Sequence, residues 1–411
     1  MEHGDTVPLL PGKHGQQAAK RQVLASVGAA TGAISMGLAL GWSSPAVHQM
    51  QFQTTGDNLT QIVPDHISDN QAEWVGSLVT LGAFFAVPLA GPLMESYGRR
   101  STISFACLPM IVGWFCIAVS TQMWMVYVGR ILTGVAVSLY SVVVPVYIGE
   151  IASTHLRGML GSLYQLMVVF GLVIMYGVGV DVGWRYLAYG AITMPCVTIV
   201  TMLTLHETPN WLVKKGRFVE ATEVLVHFRD TEDVSDELDE LTGSIERKSS
   251  EVAQDPIFKD KGALKVVFYM SVMMMINQLC GINVVLTFTV SIFHTAGVSI
   301  RPQLAGLCVG LVMFVITIIA TQIIRKVNRR PLLFFSLFFC SLSMTSFGFY
   351  FYLSPGPHYG WVPVVCLVLF IISFSMGLGP LCMVLVGDFS LPRIASLAGT
   401  VAALTNWGLP S

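Results

Sequence analysis

Charge is what this chain has little of. Charged side chains make up 11% of its 411 residues, where a soluble domain carries about 25%. Hydrophobic residues reach 54%, too many for a water-facing surface to hide, so the chain is expected in lipid. The net charge of -1 leaves no basic footprint for nucleic acid. The eight cysteines lie scattered through apolar runs without CxxC or paired spacing. They read as small core residues, not as disulfides or metal ligands, and neither metal nor cofactor is expected. The first twenty or so residues are polar and hold no apolar stretch of the kind that marks a cleavable signal. His206, His227 and His294 stand apart, with no HExxH or GxSxG pattern near them, so no enzyme is expected.

What the chain does have is long apolar runs. A spanning helix needs roughly 20 mostly apolar residues. Runs fall near 24–46, 74–94, 102–120, 124–148, 159–180, 186–205, 264–289, 303–324, 331–353 and 361–386, and an eleventh starts near Ile394 and is cut short at Ser411. The expected fold class is an all-α membrane protein of ten to eleven transmembrane helices, with an incomplete second half. Expected boundaries are a cytoplasmic tail over 1–22, a six-helix half over 23–205, a cytoplasmic helical loop over 206–262 and a second half over 263–411.

Lys and Arg gather before the first run, after the second, fourth, eighth and tenth, and in the 206–262 loop. The positive-inside rule places these segments in the cytoplasm. The 47–73 loop has no Lys or Arg and holds Asn58-Leu59-Thr60, a glycosylation sequon on the expected outer side. In the central loop, RFVEATEVLVHF has the period of an amphipathic helix and DVSDELDELTGSIERKSSEV that of an acidic one. Both are expected to pack on the cytoplasmic mouth; a solvated linker is the plainer alternative.

Two segments of the first half have counterparts in the second. ESYGRRS ends the second run and IRKVNRRP the eighth; PVYIGEIASTHLRG ends the fourth and MVLVGDFSLPRIASLAG the tenth. Tandem halves are a transporter device in which a central site forms between two bundles. Glu95, Arg99, Arg100, Glu150 and Arg157 are expected to meet at the cytoplasmic ends of the first half. Arg329, Arg330 and Asp388 form the matching set in the second. Ion pairs there would hold the inner side shut in one state and release it in another; plain topogenic charge is the alternative. Arg130, inside an apolar run, needs a partner to offset its burial. Three carboxamides in INQLCGIN, Asn277, Gln278 and Asn283, need partners too. Amides both donate and accept, which suits hydroxyl groups, though bonding between helices would also satisfy them. Gly281 between them allows the helix to break.

GRR at Gly98–Arg100, GR at Gly129–Arg130, PVYIGEIASTHLRG, GSLYQL, ETP at Glu207–Pro209, NQLCGIN and NW at Asn406–Trp407 occur in this order. In them the chain resembles the sugar porters of the major facilitator superfamily, and within these the insect facilitated trehalose transporter-like members and the animal intracellular hexose facilitators. The resemblance implies a passive carrier of a hexose or trehalose, whose partners are the sugar and the lipid bilayer. It implies sugar contacts at Gln165, Asn277, Gln278 and Asn283, a lid ring at Phe288, and a further contact at Trp407. The family's gating tryptophan falls at Met383, in GLGPLCM.

Proton-coupled members tend to carry an Asp in the first helix, whereas Val23–Val47 holds no acid or base, which favours uniport. A proton-coupled symporter and a non-transporting sugar sensor are the alternatives. Asp5, Leu9 and Leu10 fit an acidic dileucine pattern read by sorting adaptors. The expected location is the cell membrane, multi-pass, with endosomal or lysosomal cycling.

Overall fold

The computed structural model describes residues 13–52, 67–231, 233–254, 261–295, 301–324, 327–353, 361–382 and 395–408. Asp5, Leu9, Leu10, Asn58, Met383 and Asp388, singled out in the sequence, lie outside the described residues. Ten stretches of the described helices are long and apolar enough to cross a membrane, and they coincide with the ten apolar runs.

The first span is bent. α1 (Lys13–Gly41) gives way at Trp42 to α2 (Ser43–Phe52), where Pro45 lacks the N–H that would continue the ladder. α3 (Asp69–Tyr97) starts on a full capping box, Ser68 with Gln71, and ends at Gly98, whose φ of 93° suits a residue without Cβ. α4 (Arg99–Ala118), α5 (Met123–Ile151), α6 (Arg157–Val178) and the pair α7 (Trp184–Ala191) and α8 (Thr193–Thr204) complete six spans.

These six share one core around Trp42, Trp114, Tyr140 and Tyr147, all fully buried. Glycines let its helices touch backbone to backbone. A Cβ at Gly37 would lie 2.0 Å from Val168 O, and one at Gly171 2.3 Å from Ile34 O, joining α1 to α6. Gly82 and Gly134 face the Ile131 and Val79 carbonyls in the same reciprocal way, joining α3 to α5. Any side chain there would push the helices apart.

Three helices follow in the central loop: α9 (Pro209–Lys214), α10 (Phe218–Arg229) and α11 (Ser235–Gln254). The solvated-linker alternative fails for α10, which buries Ala221, Val224, Leu225 and Phe228. Gln22 of α1 donates to Phe228 O at 2.8 Å and accepts from the Ser153 N–H at 2.9 Å, and Arg21 pairs with Asp230 at 3.1 Å. One side chain thus ties together the first span, the central loop and the end of α5.

The later spans begin with α12 (Lys261–Leu279) and α13 (Ile282–Thr295). They are the halves of one span, broken where Gly281 takes φ 84°. α14 (Pro302–Ile323), α15 (Arg329–Leu353), α16 (Trp361–Ser373) and α17 (Ala395–Gly408) follow. α16 runs on into a π-helical turn, Phe374–Leu378. The Ser336 hydroxyl donates to Ser373 O at 2.6 Å and accepts from the Leu378 N–H at 2.9 Å, so it satisfies groups that the wider turn sets free.

Candidate functional site

The amides of INQLCGIN sit on both sides of the Gly281 break. Asn283 Nδ2 donates to Gln278 Oε1 at 2.9 Å, and Gln278 Nε2 in turn donates to Asn406 O of α17. The chain of amides therefore runs across the break and on to the last helix. Asn277 is buried, which leaves it less open to a ligand than Asn283.

Asn283 also lines a cavity of about 20 Å³ with Leu40, Ser43, Gly76, Thr80 and Arg130 of the first six spans and Leu286 and Thr287 of α13. This is room for about one water, so the space is closed down around its walls. Thr287 and Phe288 form part of that closure. A Cβ at Gly76 would meet Thr287 Cγ2 at 2.9 Å and the Phe288 ring at 3.7 Å. Farther out, the rings of His48 and Phe52 meet that of His294 at 5.2 and 4.3 Å between centroids. The seam between the first six spans and α13 is shut on the expected outer side.

Trp407 is buried in the core of the first six spans, although α17 belongs to the later ones. It spans the interface as packing. Gln165 stands half-buried on α6 with no hydrogen bond to another side chain among the described residues.

Arg130 is 1% exposed and has its partners. Its Nε donates to Val75 O at 3.0 Å, Nη1 to Ala39 O at 2.9 Å and Nη2 to Ser43 Oγ at 2.5 Å. The guanidinium lies 5.2 Å from the Trp42 ring centre. The α1–α2 bend places Ala39 O and Ser43 around it. The cation is held by carbonyls, a hydroxyl and a π face, with no carboxylate among these partners.

The charges expected at the cytoplasmic ends divide differently from expectation. Arg99 pairs with Glu150 at 2.9 Å. Arg100 instead grips the end of α8, donating from Nε to Met202 O at 2.7 Å and from Nη2 to Leu203 O at 3.0 Å. Glu95 pairs with Lys214 of α9. Arg157 is exposed and has no ion pair among the described residues. The expected five-residue cluster is therefore one pair, Arg99–Glu150, plus separate clamps. The reason is that Glu207 occupies the centre. Its carboxylate accepts the N–H groups of Arg99 at 2.9 Å and Arg100 at 3.1 Å, a negative charge on the start of α4 where the helix dipole favours one. Gly98 makes the room, since a Cβ there would lie 2.3 Å from Glu207 Oε2. Arg329 and Arg330 are exposed at the start of α15.

Glu207 had a visible signal, an acid just before a helix-starting Pro, but no role followed from it. Tyr176 carries no such mark, being a lone hydroxyl in the apolar stretch VVFGLVIMYGVGV, yet it donates to Leu286 O of α13 at 2.6 Å.

A family model described as "Sugar (and other) transporter" matches residues 25–409. Over 393 residues the chain is 33% identical to the facilitated trehalose transporter Tret1 of Apis mellifera ligustica, covering 94% of this chain and 77% of that protein. It is also 33% identical over 394 residues to Tret1 of Bombyx mori, covering 94% and 75%. Among solved structures it resembles a partially occluded inward-open conformation of the xylose transporter XylE from E. coli. The TM-score is 0.76 at 22% identity, covering 95% of this chain and 90% of that one. The proton:xylose symporter XylE bound to 6-bromo-6-deoxy-D-glucose gives a TM-score of 0.79 at 21% identity, covering 95% and 86%.

Proposed function

Since this chain belongs to the sugar (and other) transporter family and has the major facilitator superfamily fold, we propose that it is a facilitated carrier of a hexose or trehalose. It is a multi-pass membrane protein. The observation that carries the substrate reading is the amide chain at the Gly281 break. Asn283 lies at the seam between the two sets of spans, on a helix whose hydrogen-bond ladder is already interrupted. Neutral amides offer a neutral polyol paired donors and acceptors, and they bind weakly enough to release it. Gln278 and Asn283 are the principal contacts in this reading. Gln165, Asn277, Phe288, Met383 and Trp407 support them. The division at 23–205, 206–262 and 263–411 gives two bundles that move about that site.

Uniport is favoured by Arg130. Its satisfaction by Ser43 and carbonyls leaves no carboxylate beside it to carry a proton. The Arg99–Glu150 pair acts as the cytoplasmic clasp of the first bundle; Arg329, Arg330 and Asp388 are the candidates on the other. Asp5, Leu9 and Leu10 would address the carrier to endosomal or lysosomal membranes through sorting adaptors, and Asn58 would carry a glycan.

Uptake of radiolabelled glucose and trehalose into proteoliposomes tests the reading. Saturable uptake without a pH gradient is the expected result. Movement of neither sugar by correctly inserted protein would overturn it.

A further inference from the structure

In an α-helix the N–H of residue i bonds the C=O of residue i−4. Val290 and Leu286 of α13 are such a pair. The first six spans hold both ends of that one rung. The Tyr176 hydroxyl on α6 donates to Leu286 O at 2.6 Å. The Val290 N–H donates to Ser44 Oγ on α2 at 3.1 Å. Ser44, Tyr176, Thr289 and Val290 are all buried. Gly310 of α14 leaves room for the ring, since a Cβ there would stand 3.0 Å from Tyr176 Cδ2.

We propose that Tyr176 and Ser44 are the outer latch of the carrier, positioning residues that hold α13 against the first bundle by gripping the Leu286–Val290 rung. This rests on the carrier reading. The choice of a rung has a physical consequence. Parting the seam breaks both hydrogen bonds between the bundles, yet it strands no backbone group. The freed Val290 N–H and Leu286 O are placed to bond each other, and the two hydroxyls meet entering water. A latch built on unrelated backbone groups would leave a donor and an acceptor unpaired in the membrane, at a cost that would keep it shut. The device is firm when closed and releases without leaving polar debts behind.

Tyr176→Phe removes one hydroxyl and keeps the ring; Ser44→Ala removes the other. Each should shift the population toward the outward-open state about five-fold, the effect of one net hydrogen bond. The double variant should fall short of the product of the two. Both contacts grip the same rung, so loss of either loosens the seam on which the second depends. Spin labels at Glu73→Cys and Thr295→Cys, with the exposed Cys196 and Cys308 replaced by alanine, report the outer distance in sugar-free liposomes. A growth of the long-distance population is expected. This readout needs no substrate, so it stands apart from failure of the carrier reading. Where flux is measured, the influx KM should fall relative to the efflux KM. The two kcat/KM values stay equal, as a passive carrier requires, whereas a merely damaged protein would lose both directions alike. An unchanged distance distribution in both folded single variants overturns the latch. Shifts that multiply fully in the double variant overturn the shared rung.

Discussion

Arg130 and Ser43 are joined by a hydrogen bond of 2.5 Å between Nη2 and Oγ, deep inside the first bundle. The serine occupies the place where a carboxylate would form a full ion pair. Carbonyls at 2.9 and 3.0 Å and the Trp42 face complete the cation's surroundings. The arginine is thus locked by dipoles that do not change with pH.

That relationship predicts the effect of Ser43→Asp. A carboxylate against the guanidinium would make the charge of the α1–α2 bend depend on protonation. Uptake by this variant should rise with an acidic exterior, while the parent chain is indifferent to the gradient. Flux measured under imposed pH gradients checks both halves. A gain already present in the parent would end the uniport reading.

The amide chain separates two roles. Asn283→Ala removes a group that lines the cavity and should raise KM about five-fold or more, the equivalent of one hydrogen bond, with surface expression unchanged. Gln278→Ala also frees Asn406 O, so expression should fall along with uptake. Surface labelling beside initial-rate uptake distinguishes them. Equal loss of expression in both variants would assign the amides to helix packing alone.

Glu207→Ala strips the start of α4 of an acceptor for two N–H groups and should cost about 2 kcal/mol, the range of charge-assisted hydrogen bonds. Gly98→Ala drives a Cβ into the same carboxylate from a backbone at positive φ and should cost at least as much. Because both break one contact, the double variant should be little worse than Gly98→Ala alone. Thermal unfolding of the detergent-solubilised protein measures all three.

How legible these groups were in the sequence follows from the kind of partner each has. The spans were legible because lipid demands length, and the Gly281 break because glycine stands between amides that need satisfaction. The sharing of charge at the helix ends was not. Arg100 and Arg130 bond backbone carbonyls, which carry no mark in a sequence, and Glu95 bonds Lys214 across a separation that only the folded loop defines. Tyr176 was hidden for the same reason: its acceptor is a main-chain oxygen.

The central loop should respond to acid. Burial pushes the His227 imidazolium below its ordinary range, with His206 and Arg21 adding to the effect and Asp230 opposing it. A histidine with a lowered folded pKa favours docking while neutral. The contribution is therefore complete above about pH 6.5 and is lost as pH falls toward the folded value. Hydrogen exchange in α10 should quicken between neutral and mildly acidic pH, and His227→Gln should flatten that response. An identical profile in the variant would exclude His227 as the cause.

The reciprocal glycines between α1 and α6 and between α3 and α5 bear on stiffness. Where backbones touch there are no rotamers to reshuffle, so in the proposed carrier the first six spans would tilt as a solid block rather than bend. A block about 30 Å tall that swings about 15° around its middle carries each end some 4 Å, in opposite directions. Loosening one mouth then tightens the other by leverage alone, and a missing methyl group at four positions is what keeps the lever from flexing.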